Sequence, residues 1–219
     1  MTMKRLFSLL LLLVLVAAGS TKLVAQDGGY FTPDVQFRSV GLSVGMYSPS
    51  MDYFDRTFWS FDSGANFGID AEVDITKLLG IRAGVGMYST SSEIQRAAIM
   101  PVETMTYTLV PVSLGWYARY DLGPVVAGFH NNVDFNSITA KYEAGSEEQS
   151  QSGKATTFNF GLSLERAIGN FGVQVYGRYA IGEFEQMVGN NAEKVDLSGL
   201  QAGVTVRVYS GAFKSLTSR

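Results

Sequence analysis

The 219-residue sequence has no cysteine and a single histidine, His130. Without thiols the chain can form neither disulfides nor thiolate metal sites. Phosphate-binding loops, dinucleotide fingerprints and basic nucleic-acid patches are also missing. Gly84 and Gly86 do not form a dinucleotide fingerprint, because they lie within a strand-like segment and do not open a helix. Backbone hydrogen bonds and packing must therefore hold the fold without covalent or thiolate-metal support.

Long apolar runs are equally scarce. The longest, Leu6 to Ala18, has about 13 residues, whereas a membrane-spanning helix needs roughly 20. It follows Lys4 and Arg5 and precedes the small residue Ala25, which favours a cleaved signal peptide at 1–25 over an anchoring helix. Cleavage before Gln26 would leave a lead at 26–34 and a single domain. It would also change the formal charge from −3 to −6 by removing Lys4, Arg5 and Lys22, so no nucleic-acid partner is expected.

What the sequence does contain is alternation of apolar and polar residues. In Ala65 to Ile75 the odd positions are apolar, and the even positions are polar or glycine. A period of two predicts a strand with one face in an apolar medium. Eight such strands are predicted, and a phase slip near Arg38 and Ser39 predicts a β-bulge in the first. Their approximate ranges are 35–47, 63–75, 79–91, 104–120, 124–140, 155–167, 171–184 and 196–209.

The connectors alternate in length. Three tight turns are predicted at Thr76–Leu78, Asp121–Gly123 and Ile168–Asn170, and we call the end of the molecule that carries them the turn end. Four long connectors, near 48–62, 92–103, 141–154 and 185–195, define the opposite loop end. Short periplasmic turns and long outer loops are typical of an eight-stranded antiparallel transmembrane β-barrel. The barrel is predicted over 35–209, with a periplasmic tail at 210–219.

Period-two strands would also suit a soluble lipocalin-type barrel. Lysine placement separates the two, because all five lysines after the signal lie in connectors, strand ends or the tail: Lys77, Lys141, Lys154, Lys194 and Lys214. A soluble barrel would carry several on its outer strand faces, so the outer face is expected to meet lipid. Glycines such as Gly68 and Gly115 fall on the polar parity, as a narrow lumen requires.

The polar parity also carries charges of both signs, most of them in the turn-end half of the lumen. Because unpaired charges in so narrow a space are costly, we expect an ion-pair network that plugs the barrel; a gated pore is the alternative. The members expected are Asp70, Glu72, Asp74, Glu165, Arg82, Arg119, Arg178 and Arg207.

His130 is the one candidate general base. By parity it points into the lumen with Asn132 and Asp134, whereas a lipid-acting enzyme would present it to the bilayer or the outer rim. We expect a neutral histidine held by Asn132 or Asp134, and the sequence places no serine nucleophile beside it. No catalytic residue is therefore assigned.

Aromatic and acidic residues suggest two further features. Trp116, Tyr120 and Phe171 suit an interfacial girdle near the turn end. The first long connector is a candidate contact patch through Tyr53, Phe54, Phe58, Trp59 and Phe61, although these rings could instead pack over the barrel mouth. Acidic residues in the third connector, Glu143, Glu147 and Glu148, match no calcium-loop spacing, so neither a metal nor a cofactor is expected.

Three features resemble the bacterial outer-membrane β-barrel domain family, which includes PorT-like and small OmpA-type barrels. They are Gly41, Gly45, Tyr47 and Pro49 leading into Asp52 and Tyr53, the Val110–Pro111 step, and the closing segment 197–209. The resemblance implies an outer-membrane barrel of a Gram-negative bacterium and leaves the activity open. One departure is that such proteins commonly end on an aromatic residue, whereas Tyr209 lies on the lumen parity and is followed by ten more residues.

Three functions are compatible with the sequence. The favoured one is a monomeric structural or interaction barrel, in contact with outer-membrane lipid and open to a protein or surface ligand at its outer loops. The second is a narrow channel for small or apolar solutes, and the third is a lipid-modifying enzyme centred on His130.

Overall fold

The structure, a computed structural model, describes residues 35–50, 63–94, 101–188 and 191–210. The predicted signal peptide, the lead, nearly all of the tail and the aromatic contact patch lie outside these residues. In the described part, no helix has both the length and the apolar character needed to cross a membrane. The described ranges contain nine antiparallel strands: β1 (Gln36–Pro49), β2 (Gly64–Asp74), β3 (Leu79–Ile94), β4 (Glu103–Asp121), β5 (Val126–Ala144), β6 (Glu147–Ile168), β7 (Phe171–Val188), β8 (Asn191–Asp196) and β9 (Gly199–Tyr209).

Eight of these strands close into a ring. Strands β1 to β7 pair with their neighbours in sequence order, β9 pairs with β7, and β9 pairs with β1 from Ser39↔Tyr209 to Pro49↔Gly199. Strand β8 pairs with β7 alone and extends that hairpin beyond the ring. Closure removes exposed strand edges within the ring. The predicted eight-stranded antiparallel barrel is confirmed.

Alternation along each strand separates an apolar outside from a polar inside. On β1, Leu42, Val44 and Met46 are 63%, 53% and 57% exposed, while the residues between them point inward. Such large apolar surface is unfavourable in water and favourable against lipid chains. The side chains exposed in the isolated chain are therefore those that the bilayer covers.

The predicted bulge near Arg38 and Ser39 is confirmed, since the β1–β2 register shifts between Phe37 and Ser39. An extra residue on one strand reverses the parity of everything beyond it. Phe37 before the bulge and Leu42 after it thus both face outward, and Arg38 and Ser39 both turn inward.

The turn end agrees with its prediction, with strands joined at Ile75–Leu78, Leu122–Val125 and Gly169–Asn170. Gly123 (φ 88°) and Gly169 (φ 61°) hold left-handed conformations that other residues adopt only with strain. The Thr76 hydroxyl accepts the backbone N–H groups of Leu78 and Leu79 at 3.2 and 3.0 Å. These contacts fix the turns that hold the ring together at this end.

The loop end differs from its prediction, because strands replace much of the expected loop. The connector predicted at 141–154 is β5 and β6 continuing as a hairpin to a turn at Gly145 and Ser146. The connector predicted at 185–195 is mostly the β7–β8 hairpin, and the last predicted strand is interrupted at Leu197 and Ser198. Beyond the membrane both strand faces meet water, so a strand there needs no alternation and its sequence looks like a loop.

Candidate functional site

The barrel lumen collects most of the buried polar side chains, and its outer half is apolar. Glycines on the inward parity make room for the large side chains. A Cβ added to Gly80 would overlap the ring of Tyr117, and one added to Gly172 would overlap the hydroxyl of Tyr209. Tyrosine rings lie where these glycines lack side chains, which allows an eight-stranded ring to be filled from wall to wall.

Arg207 on β9 lies at the centre of the lumen charges and is fully buried. Its guanidinium forms ion pairs with Asp70 at 2.8 Å, Glu72 at 3.0 Å and Glu165 at 3.3 Å. The same group donates to the Gln174 side chain at 3.0 Å. Arginine suits this position because its five N–H donors spread in a plane and can serve several carboxylates at once.

Two further pairs connect β2 with β3 and β4. Arg82 on β3 lies 2.6 Å from the Asp70 carboxylate, and Arg119 on β4 lies 2.7 Å from that of Asp74. Arg119 also donates to the Lys77 carbonyl at 3.0 Å, so it ties the barrel wall to a turn. Together with the ion pairs of Arg207, these pairs contain seven of the eight residues that were predicted from the sequence to form the lumen network.

Arg38 belongs to the same network, although it was not among the eight residues predicted from the sequence. It pairs with Glu165 and, at 3.3 Å, with Glu72. Its guanidinium carbon lies 5.9 Å from the Tyr117 ring centroid and 5.7 Å from that of Tyr209, distances typical of cation–π contacts. Before the bulge Phe37 faces outward, so the next residue, Arg38, faces inward. This alternation was the signal in the sequence that Arg38 lies in the lumen.

Tyr209 points into the lumen, as its parity predicted, without any bulge in β9. Its hydroxyl donates to Glu165 at 2.6 Å, and Tyr117 donates in the same way to Asp74. We call the paired charges with these two rings the ion-pair layer. Its four arginines balance its four carboxylates, and its members are Arg38, Arg82, Arg119, Arg207, Asp70, Glu72, Asp74, Glu165, Tyr117 and Tyr209.

Arg178 was expected in this network and lies apart from it. It donates to Gln201 and its guanidinium carbon lies 5.4 Å from the Tyr176 ring centroid, while no carboxylate of the described residues forms an ion pair with it. The reason is position along the barrel. Arg207 lies opposite Gly172 on β7, six residues or about 20 Å along the strand from Arg178.

His130 contacts Ser163, and the expected contacts with Asn132 or Asp134 are not formed. Its Nε2 lies 2.6 Å from the Ser163 hydroxyl, which also accepts from Gln174 at 3.1 Å. Alternate residues of one strand are about 7 Å apart, too far for these short side chains. The ring instead reaches diagonally across to β6, where Gly161 lies opposite it.

This histidine–serine pair meets the distance requirement for a nucleophile and its base, yet other features oppose catalysis. His130 Nδ1 has no hydrogen-bond partner among the described residues, so no third group orients the ring. The adjoining cavity is about 10 Å³, room for about one water molecule. Asn132 and Asp134, the other members of the nominated polar cluster, are 3% exposed and lie further toward the loop end.

An apolar layer, which was not predicted from the sequence, fills the lumen toward the loop end. Tyr47 and Tyr88 pack edge to face at 4.8 Å between ring centroids, and Tyr107 and Phe184 at 6.3 Å. Here the inner parity is apolar and the outer parity is polar, with Thr106 and Thr108 flanking Tyr107. This is the reverse of the pattern that marks the inward side within the membrane. We call this cluster the aromatic layer, and its buried members are Tyr47, Tyr88, Tyr107, Leu109, Ile138, Ala140, Ala180, Phe184, Val195 and Leu197.

The acidic residues of the third connector lie on the protruding β5–β6 hairpin. Lys141 donates to Glu143 at 2.6 Å and to Glu148 at 3.2 Å, and these hydrogen bonds raise the pKa of the Lys141 ammonium. Across the described ranges, no group of three or more histidine, aspartate or glutamate side chains could hold a metal ion. Near the turn end, Trp116, Tyr120 and Phe171 are 41%, 55% and 55% exposed on the outer face.

Comparison with known proteins gives one family match. Residues 8–207 match the family described as outer membrane protein beta-barrel domain. No curated protein matches the chain.

Several solved structures share the fold at low sequence identity. The outer membrane protein OprG from Pseudomonas aeruginosa is 9% identical with a TM-score of 0.55, covering 83% of this chain and 97% of its own. Neisserial surface protein A is 15% identical with a TM-score of 0.49, covering 80% and 98%. Ail of Yersinia pestis is 12% identical with a TM-score of 0.47, covering 81% and 99%.

Proposed function

The chain belongs to the outer membrane protein β-barrel domain family, and from that premise we propose that it is a closed interaction barrel rather than a pore. As an integral protein of a Gram-negative outer membrane, it has its turn end in the periplasm and its loop end outside. The proposed function is to present a rigid outer surface to a partner protein or surface ligand, with the lumen serving as a structural core.

Two consecutive barriers across the lumen carry this proposal. The ion-pair layer fills the periplasmic half, where Arg207 is fully buried among carboxylates from two strands, β2 and β6. The aromatic layer fills the outer half, where Tyr107 and Leu197 are likewise completely buried. A solute would have to break buried ion pairs and then displace packed rings, and each step is costly. This favours a core over the narrow channel that the sequence also allowed.

The protruding hairpins supply the surface for contact. β5 and β6 remain paired from Ser137↔Lys154 out to Ala144↔Glu147, and β7 pairs with β8 from Glu183↔Asp196 to Val188↔Asn191. Hydrogen-bonded hairpins lose less conformational freedom on binding than loops of equal length. We propose the β5–β6 hairpin tip, with Glu147 and Glu148 exposed to solvent, as the main point of contact.

A lipid-modifying enzyme is disfavoured on the same grounds. The His130–Ser163 pair points into the lumen, where His130 is 6% exposed, and a lipid headgroup would not fit a cavity of about 10 Å³. We propose that the pair is a structural hydrogen bond that ties β5 to β6.

Site-specific photo-crosslinking on whole cells tests the contact surface. A photoreactive residue replaces Glu147 at the hairpin tip, and the matched control replaces Leu122, which is 52% exposed at the periplasmic end. We expect an adduct at position 147 that is absent at 122. The adduct at position 147 should persist when the β7–β8 hairpin is shortened, because that hairpin is not the proposed main point of contact. No adduct at position 147, or the same adduct at position 122, contradicts the proposal.

A further inference from the structure

Asn131 on β5 is a polar side chain on the lipid-facing side of the barrel. It shares the outward parity with Phe129, Val133 and Phe135 on the same strand. Within the apolar band, the other lipid-facing side chains of the described strands are apolar or aromatic, or the position is a glycine. A polar side chain that faces hydrocarbon is costly, and such residues usually mark a contact.

The neighbouring strands place Asn131 inside the apolar band and away from its edge. Trp116 on β4 and Phe160 on β6 lie directly opposite it. Along β6 the outer face stays apolar from Phe160 through Leu164, and the first charged outward residue toward the turn end is Arg166. Arg166 lies six residues or about 20 Å along the strand from Phe160. The periplasmic surface, with its headgroups and water, is therefore too far away to serve the Asn131 amide.

The side-chain amide of Asn131 has no hydrogen-bond partner among the described residues. Its backbone is paired on both sides within the sheet, and the side chains opposite it are the aromatic rings of Trp116 and Phe160. Because no water enters the hydrocarbon to replace a missing partner, an amide without one costs free energy there. A partner that approaches β5 from within the membrane would remove this cost.

We propose that Asn131 contacts a second copy of this chain, so that two barrels associate side by side through β5. The partner must carry a polar group at the same depth, whereas the lipid-facing surfaces of barrels are generally apolar. A second copy related by a two-fold axis along the membrane normal presents its own Asn131 at that depth, and such dimers are the commonest symmetric assembly. An amide has both donors and an acceptor, so the two Asn131 side chains can donate to each other.

The two-fold relation also suits the aromatic rings beside Asn131. It brings β4 of each barrel opposite β6 of the other, so the side that carries Trp116 meets the side that carries Phe160. Trp116 packs against Phe129 with 5.4 Å between ring centroids, and Phe160 against Tyr179 with 6.0 Å. Aromatic side chains are enriched in protein interfaces. The proposed dimer differs from the monomer expected from the sequence, and it does not rest on the proposed contact at the hairpins.

Cysteine crosslinking in outer membranes tests the contact surface, because the native chain has no cysteine. Val133→Cys places a thiol on β5 two residues from Asn131 and keeps the amide. The matched control is Val44→Cys on β1, which lies on the opposite side of the ring and is 53% exposed. A short bismaleimide should join two copies of the chain through position 133 and not through position 44. Equal yields at the two positions, no dimer at position 133, or an adduct there with a different protein would overturn the proposal.

Variants of Asn131 test the role of the amide. Sedimentation equilibrium of the refolded protein in density-matched detergent gives the dissociation constant of the dimer. Asn131→Leu should raise this constant roughly tenfold, the effect expected of side-chain hydrogen bonds between membrane segments. Asn131→Gln keeps an amide and should raise it less, while the control Val44→Leu should leave it unchanged.

A difference in gel migration before and after boiling shows that each variant has folded. If Asn131→Leu has the same dissociation constant as the wild-type protein, or if the wild-type protein stays monomeric at every concentration, the proposal is wrong. The Asn131 amide would then contact lipid.

Discussion

At the scale of single residues, Arg207 is the group on which the lumen charges depend. It is fully buried and pairs with Asp70, Glu72 and Glu165. The first two lie on β2 and the third on β6, and each of these strands is second from β9 in the ring. Removing one partner of a buried ion pair is far more costly than removing both, because the remaining charge is left without compensation. Three carboxylates lose a partner when this one cation is removed.

Replacing Arg207 with methionine should therefore destabilise the barrel by about 3–5 kcal/mol, the range for breaking a buried pair. Urea unfolding in lipid vesicles, followed by tryptophan fluorescence, measures the change. The matched control is Arg166→Met at an exposed position, where the effect should stay within about 0.5 kcal/mol. Equal losses in the two variants would show that the ion-pair layer does not stabilise the fold.

Parity in the sequence predicts whether a side chain faces the lumen or the lipid, but it does not predict how far along the barrel axis the residue lies. Arg178 and Arg207 share the inward parity, yet only the strand register shows that they lie in different layers. Arg38 was missed because the bulge reverses the parity of β1, and the longer run beyond it places even-numbered positions on the outer face. His130 was assigned to the lumen, but its partner Ser163 depends on the β5–β6 register and on the space that Gly128 leaves.

At the scale of the strands, glycines on the two faces have opposite roles. Gly80 on β3 faces inward, where a Cβ would overlap the Tyr117 ring and the Val73 carbonyl. Gly177 on β7 faces outward, where nothing lies within 4 Å of an added Cβ. The same substitution at the two positions separates the need for lumen space from the general cost of glycine in a strand.

Gly80→Ala should lower the stability by about 1–3 kcal/mol, the usual cost of overpacking. Gly177→Ala should be neutral or stabilise by up to about 1 kcal/mol, since alanine restricts the unfolded chain. Vesicle unfolding of both variants, beside the double variant Gly80→Ala with Tyr117→Ala, measures the difference. If the two single variants lose the same stability, crowding by Tyr117 is not the reason for glycine at position 80.

The sequence predicted the strands well within the membrane, where apolar and polar residues alternate, but it did not predict the parts that extend beyond the membrane. Alternation marked β2 almost to the residue, because its outer face must be apolar and its inner face is polar or glycine. Only the tip of the β5–β6 hairpin is exposed on both faces, and there Glu147 to Ser150 carry no period. Further down β6 the burial alternates from Gln151 onward, but the sequence is polar on both faces and does not show it. The aromatic layer was hidden for a different reason. Its strands are apolar on the inner parity and carry polar residues such as Thr106, Thr108 and Glu185 on the outer parity, the reverse of the pattern within the membrane.

At the scale of the whole molecule, three layers succeed one another along the lumen from the periplasm outward. The ion-pair layer comes first, the buried polar side chains of Asn132 and Asp134 second and the aromatic layer third. The outer apolar band and the closed ring place the chain in the outer membrane. The sequence predicted that location and the polar inner layer, but it gave no sign of the second, apolar barrier.

Single-channel recording in planar lipid bilayers tests most directly whether the barrel is closed. With both layers in place, the refolded wild-type protein should insert without steady, reproducible conductance steps. A variant with Phe184→Ala and Tyr107→Ala, which opens the aromatic layer alone, should also stay closed because the ion-pair layer remains. Uniform conductance steps from the wild-type protein, abolished by boiling the sample before reconstitution, would contradict the closed barrel and establish a channel in its place.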